Sequence, residues 1–204
     1  NTGIERAVAW GADYVWVLNS DVLLAPDALV RLLDAAQAEG EPAILSPLIY
    51  YAAEPDIIWF AGGHLDSRLK STHVGQDQVD RGQYAGRRQV AWVSGCAPFF
   101  SRQVAETVGP WPEDYFLYLE DVDWCLSAQA HGIPSVVVGE AHIWHQVSAS
   151  VDGVDAKLVR YYSWRNYYLL GRRRGQSTTR LRVEADLWWT LVKSAIRWVG
   201  FPSY

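Results

Sequence analysis

The chain has 204 residues, half of them hydrophobic, and a formal net charge of −5, which suits one ordinary domain with a real core or one domain and an appendage. No apolar run reaches the roughly eighteen residues that a membrane-spanning helix needs, and no secretory signal is present. Only two cysteines occur, Cys96 and Cys125, in no CxxC pattern, which excludes zinc-finger chemistry and leaves free buried thiols in a reducing compartment as the expectation.

In chain order, Thr2–Trp10 has a helical pattern that stops at Gly11. Because the sequence contains no methionine and opens inside this helix, it reads as a fragment whose true N-terminus is missing. A buried strand, Tyr14–Leu18, then delivers Asn19 and Asp21 to a loop. Pro26 opens a second helix that runs to Glu39 and closes at Gly40, the expected placement of proline and glycine. A strand from Ala43 to Tyr51 follows Pro42. This β-α-β rhythm predicts an α/β sheet with crossover helices. From Glu54 to Arg88 the pattern loosens; Ile57–Phe60 can form a strand, but Gly62-Gly63, Gly75, Gly82 and Gly86 describe a long connection of the kind that faces substrates. Gln89–Val93 returns as a strand ending at Ser94-Gly95. A short helix from an N-cap at Ser101 to Val108 closes at Gly109-Pro110. Asp121–His131 is a helix with Val122, Cys125, Leu126 and Gln129 on one face, and Ser135–Val138 is the last apolar strand. Beyond it the chain turns helical and aromatic.

Charge divides the chain near Ala149–Val154. Residues 1–150 hold 8 Lys/Arg against 19 Asp/Glu, and residues 151–204 hold 10 against 4. The expectation is an acidic, cation-using catalytic part, 1–150, and a basic, aromatic-rich helical extension, 151–204, facing an anion such as substrate phosphate, lipid headgroups or nucleic acid.

Two segments end apolar stretches on carboxylates: Val15-Trp-Val-Leu-Asn-Ser-Asp21 and Tyr115-Phe-Leu-Tyr-Leu-Glu-Asp-Val-Asp-Trp-Cys125. One carboxylate for a metal and one for a proton is the minimal equipment for metal-assisted group transfer. Asp21 suits Mg²⁺ or Mn²⁺ held by few protein ligands and by a substrate's own diphosphate, although Asn19-Ser-Asp also suits a plain turn. Asp121 suits a general base with Glu120 orienting the acceptor, although acids at a helix start also cap free amides. Glu113, Asp114, Glu120, Asp121 and Asp123 crowd a stretch without a basic residue, so mutual repulsion should raise some of their pKa values. Trp92, Trp111 and Trp124 can stack on sugar faces or simply pack in a core.

In order and spacing these pieces resemble glycosyltransferase family 2 with a GT-A fold, in its bacterial rhamnosyltransferase-like branch, over roughly Asn1 to Leu170. Asn1-Thr-Gly-Ile, Gly11-Ala-Asp-Tyr and Leu18-Asn-Ser-Asp21 are similar to the segment leading into that family's DxD-type motif, with Asn19 in place of the first acid. Pro26-Asp-Ala-Leu resembles the helix that follows, and Ser94-Gly-Cys-Ala, which contains Gly95, the acceptor-side strand. Val108-Gly-Pro-Trp and Phe116-Leu-Tyr-Leu-Glu-Asp-Val-Asp-Trp-Cys resemble the Glu-Asp catalytic motif. His145, with Ser148 and Ser150 after it, resembles the late histidine of the metal site, and Tyr161-Tyr-Ser-Trp-Arg-Asn166 a helix common in that branch. The family's N-terminal β-α-β, which holds much of the nucleotide, is absent from the sequence.

The resemblance implies a GT-A-type mixed sheet flanked by helices, N-terminally truncated, with a C-terminal helical extension. It implies an inverting, metal-dependent transfer from a nucleotide-sugar donor to a glycan or lipid-linked acceptor in cell-surface polysaccharide synthesis. Asp121 and Glu120 would be catalytic, and Asp21 and His145 would bind Mg²⁺ or Mn²⁺. Asn19, Trp92, Gly95, Trp124, Arg165 and Asn166 would contact substrates, with Arg165 as the basic residue for diphosphate, although Arg165 and Asn166 also suit an ordinary helix-surface pair. Two rivals from other classes are a non-catalytic glycan-binding or scaffold domain and a metal-dependent phosphoryl hydrolase. In the tail, Leu187, Trp188, Leu191, Val192, Ala195, Ile196 and Val199 fall at helical spacing between Arg180, Arg182, Lys193 and Arg197. That pattern fits peripheral membrane contact through residues 180–201, or a helix packed on its own domain or a partner subunit. The expected location is cytoplasmic, on the inner face of the plasma membrane. Nucleic acid is not an expected partner, because the remainder is acidic.

Overall fold

Two long strands organise the molecule: β3 (Ile44–Tyr51) and β9 (Ser135–His145), which run parallel. The computed structural model describes residues 1–40, 42–146 and 156–199. Before β3 come α1 (Thr2–Ala9), β1 (Tyr14–Trp16), β2 (Val22–Leu24) and α2 (Ala28–Glu39). Between the two long strands lie β4 (Ile58–Phe60), β5 (Gly63–Leu65), β6 (Ser71–His73), β7 (Arg87–Val90), β8 (Phe99–Ser101), α3 (Arg102–Val108), a single 3-10 turn (Glu113–Tyr115) and α4 (Glu120–Ala130). Two further helices follow, α5 (Ala156–Arg174) and α6 (Ser177–Val199). Among the described residues seven strands form one mixed sheet in the order β1-β8-β3-β9-β2, with β4 beside β3 and β7 beside β9; β5 and β6 pair separately.

Strand side chains alternate between the two faces, and the core splits accordingly. Leu45, Phe99, Val136 and Val138 pack with Leu32 and Ala35 of α2, while Ile44, Phe100 and Val137 pack with Val104 of α3 and with Val122, Trp124 and Cys125 of α4. The result is a mixed sheet flanked by helices, as expected from the β-α-β rhythm. Local punctuation also matches: Gly40 adopts a left-handed conformation (φ 68) past α2, and the Ser101 hydroxyl accepts from the Val104 N–H at the start of α3.

The last strand is longer than the sequence suggests. After Val138 the register against β3 slips, so that Pro47 faces Val138 but Leu48 faces His142. Gly139 makes this bulge possible: its N–H donates to the Gly86 carbonyl at 2.8 Å, and a Cβ there would collide with the Tyr84 carbonyl oxygen. The strand then continues to His145. Within the long connection Ile57–Phe60 yields β4 as read, and the structure adds β5 and β6, which at three residues each are too short to show a period of two. The predicted strand Gln89–Val93 lies instead at Arg87–Val90. The charge boundary at 149–154, with Ser148 and Ser150, lies outside the described residues.

Candidate active site

Asp21 and His145 meet because β2 and β9 pair antiparallel with Val22 opposite His145. The Gln146 N–H donates to the Asp21 carbonyl at 2.9 Å, and His145 Nε2 lies 3.2 Å from Asp21 Oδ1. Both side chains are largely buried. The other ring nitrogen, Nδ1, is buried with no hydrogen-bond partner. Burial lowers the His145 pKa, and the Asp21 charge opposes that only in part. Trp59, which the sequence reading passed over, stands edge-on to the His145 ring at 4.6 Å.

The tight Ser94–Ala97 turn joins this pair to the second acid site. The Asn19 N–H donates to the Cys96 carbonyl at 2.9 Å, extending the β1–β8 pairing beyond Trp16. One residue earlier, the Gly95 N–H donates to Asp121 Oδ2 at 2.8 Å. A Cβ on Gly95 would stand 3.2 Å from the Trp111 ring and 3.5 Å from Asp121 Cβ, so glycine is what allows this close approach. Asp121 Oδ1 accepts from the Val122 N–H at 2.7 Å, so the carboxylate also satisfies a free amide in the first turn of α4. Burial raises the Asp121 pKa against those two N–H groups. Glu120 beside it has a buried Oε2 with no hydrogen-bond partner. Burial, then the Asp121 charge, pushes the Glu120 pKa up to about 7.

The acids crowded around this pair are not alike. Arg173 donates to Asp114 Oδ2 at 2.6 Å and to Asp123 Oδ2 at 3.1 Å, and Arg174 pairs with Asp123 from the other side. Asp114 and Asp123 are thus paired with cations from α5, whereas burial acts on both Glu120 and Asp121, and the Asp121 charge acts further on Glu120. This corrects two expectations. The acid stretch has basic partners, and this part of the basic extension faces the protein's own acids.

Arg165 and Asn166 hold the loop before α4. Asn166, fully buried, donates through Nδ2 to the carbonyls of Tyr115, Leu117 and Tyr118 at 2.9, 2.6 and 2.8 Å. Arg165 Nη1 donates to the Asp114 carbonyl at 2.6 Å and to Asn166 Oδ1 at 2.7 Å. Asn166 is therefore spent on main chain and does not reach a diphosphate. The loop itself is strained: Phe116, Tyr118 and Leu119 have φ of 61, 69 and 70. The Leu117 N–H closes a γ-turn to the Tyr115 carbonyl at 2.7 Å around Phe116. Such conformations cost on the order of 1–3 kcal/mol each in non-glycine residues.

Trp92 and Trp124 are corrected as sugar-stacking groups. Both are core residues, with Trp92 Nε1 donating to the His64 carbonyl and Trp124 Nε1 to the Gly109 carbonyl. Trp111 is partly buried and packs on Trp124. Cys96 and Cys125 are free and buried, their pKa values pushed up to about 12, chiefly by burial, and they are chemically quiet thiols.

Among the described residues no three of His, Cys, Asp or Glu gather as a ready-made metal cage. The donor set still fits a hard divalent cation of the kind completed by phosphate oxygens. It offers the Asp21 carboxylate and, 3.2 Å from it, the buried His145 imidazole, whose Nδ1 has no hydrogen-bond partner.

The family described as "Glycosyltransferase like family 2" matches residues 1–200. The chain is 27% identical over 181 residues to an N-acetylglucosaminyl-diphospho-decaprenol L-rhamnosyltransferase of Mycobacterium tuberculosis, covering 80% of this chain and 57% of that protein. It is 26% identical over 172 residues to the galactofuranosyltransferase GlfT2 of the same species, covering 76% of this chain and 26% of that protein. The chain thus spans about half the length of the first relative and a quarter of the second.

Proposed function

The chain belongs to glycosyltransferase-like family 2, and from that premise we propose that it carries the transfer site of an inverting, metal-dependent sugar transferase of cell-surface polysaccharide synthesis. The donor is a nucleotide-sugar, and the acceptor is a glycan or a lipid-linked glycan, the latter in keeping with the diphospho-decaprenol in the name of the rhamnosyl-transferring relative. Residues 1–150 form the catalytic part and 151–204 the helical extension.

One observation supports this reading: the Ser94–Ala97 turn takes the Asn19 N–H, two residues before Asp21, on the Cys96 carbonyl and gives the Gly95 N–H to the Asp121 carboxylate, while Asp21 pairs with His145. Asp121 takes the proton of the acceptor hydroxyl onto its carboxylate. The freed oxygen forms the new bond at the anomeric carbon while the bond to the diphosphate oxygen breaks, and the electron pair leaves with the nucleoside diphosphate. Two N–H groups hold the carboxylate in a fixed direction, and its raised pKa strengthens it as a base. Glu120 lies beside it to contact the acceptor. Asp21 and His145 hold the diphosphate end, with Asn19 next to them. A Mg²⁺ or Mn²⁺ held there would supply Lewis-acid neutralisation of the leaving group.

A peripheral membrane contact through α6 belongs to the same reading, because a lipid-linked acceptor lies at a membrane. Leu181, Trp188 and Trp189 are exposed, the tryptophans at 69% and 59%, beside Arg180, Arg182 and Lys193. The side chains of Leu191, Ala195, Ile196, Arg197, Trp198 and Val199, and residues 200–201, lie outside the description. Among the described residues no helix is long and apolar enough to cross a membrane. The experiment that tests the function is transfer from a panel of nucleotide-sugars to lipid-linked and free glycan acceptors by the full-length protein, with Asp121→Asn as the inactive reference.

A further inference from the structure

We infer that Asn166, seconded by Arg165, is a positioning residue that sets the Glu120–Asp121 pair by clamping the strained loop in front of it; this rests on the reading of Asp121 as the base. The backbone needs such a clamp. Phe116, Tyr118 and Leu119 hold left-handed conformations that side chains other than glycine resist, and the last of them immediately precedes Glu120. A loop of this kind persists only when its surroundings over-determine it.

Asn166 supplies that determination. Its single amide nitrogen meets three carbonyls, those of Tyr115, Leu117 and Tyr118, within 2.6–2.9 Å. The three carbonyls bracket the γ-turn at Phe116, so the amide fixes the turn from inside. The Asn166 Oδ1 is in turn held by Arg165, which also grips the Asp114 carbonyl. Among the twenty side chains only a short amide offers two donors and one acceptor on a plane of this size. The same helix pins the far side of the segment, where Arg173 and Arg174 hold Asp123. Asp121 is therefore fixed on one side by Gly95 and on the other by a loop whose shape depends on α5. A small displacement at a reacting group is costly in rate, which gives the clamp its function.

The test follows the two carboxyl groups directly. Carbon-13 NMR titrations of Glu120 and Asp121 would be compared between full-length wild type and Asn166→Leu, together with kcat, KM and thermal melting. Leu170→Ala, which removes a fully buried apolar side chain from the same helix, serves as the stability control. Asn166→Leu is expected to lower kcat by about 10- to 100-fold with little change in donor KM, and to shift both carboxyl midpoints. Leu170→Ala is expected to lower Tm while leaving the midpoints in place. Wild-type midpoints and kcat in a folded Asn166→Leu protein would overturn the inference. Should Asn166→Leu not fold, Arg165→Gln decides the matter by the same readouts, shifted midpoints supporting the clamp and unchanged ones refuting it. Midpoints that shift in a protein whose wild type transfers no sugar would sink the transferase reading and keep the clamp.

Discussion

The backbone N–H of Gly95 donates to Oδ2 of Asp121 at 2.8 Å, tying the turn after β7 to the first turn of α4. The contact has two consequences. It fixes the direction of one carboxylate oxygen, and it places that oxygen one residue from Cys96, whose carbonyl holds Asn19. Both halves of the site therefore share four residues of turn, and a change in that turn is felt at both.

Gly95→Ala is expected to be harmful out of proportion to its size. The new methyl meets the Trp111 ring at 3.2 Å, closer than ordinary van der Waals contact. Overpacking of this kind costs about 1–3 kcal/mol, and the lengthened contact to Asp121 should lower kcat more than it raises KM. Thermal melting and steady-state kinetics on the same preparation check both parts. A variant with normal kcat would show that the Gly95 contact does not matter to the reaction.

Glu120→Gln gives a test by pH. Because the Glu120 pKa is raised to about 7 in the folded protein, the folded state binds more protons than the unfolded state between its ordinary value and about 7. Stability from this group is present at low pH and is lost as pH rises through that window. At pH 8 the glutamine variant should melt higher than wild type, because it carries no buried unpaired charge. At pH 4 the two should melt together. Equal melting at both values would mean that Glu120 is solvated in a way its buried Oε2 contradicts.

The metal reading is tested at Asp21. Binding of a nucleoside diphosphate, measured by titration calorimetry, should need Mg²⁺ or Mn²⁺ and weaken sharply in Asp21→Ala, with His145→Ala milder. Equal affinity with and without chelator would remove the cation from this site.

For the membrane contact, replacing Trp188 and Trp189 by serine should release the protein from anionic vesicles in co-sedimentation. High salt should weaken binding of the wild type, since each basic residue near such a surface contributes roughly 1 kcal/mol. A wild type that stays in the supernatant on anionic vesicles would make α6 a packing or subunit-contact helix.

Much of the site could be read from the chain because its chemistry sits in short contiguous runs. Leu18-Asn-Ser-Asp21 and Leu119-Glu-Asp-Val carry both the residue types and their order, and the structure brings Asn19 beside Cys96 and Asp121 beside Gly95. His145 was legible only by resemblance, since the Gly139 bulge breaks the apolar run that would have shown its strand. Pairings distant in sequence were hidden. The Arg172-Arg173-Arg174 run and the acids at 113–123 are complementary in charge, yet nothing local states that α5 folds back on α4. The same gap made Asn166 look like a substrate contact, although its buried amide serves three carbonyls. Trp92 and Trp124 misled for another reason: an indole suits a sugar face and a core equally, and burial alone separates the two.

The most direct measurement is the single-turnover rate of sugar transfer by Asp121→Asn in the full-length enzyme, taken together with its affinity for the donor diphosphate. The amide keeps the shape of the carboxylate and can still accept the Gly95 N–H, but it cannot take a proton from the acceptor. Loss of about 10²–10⁴-fold in rate, with donor affinity close to wild type, is the expected result. Transfer at the wild-type rate would contradict the assignment of Asp121 as the base.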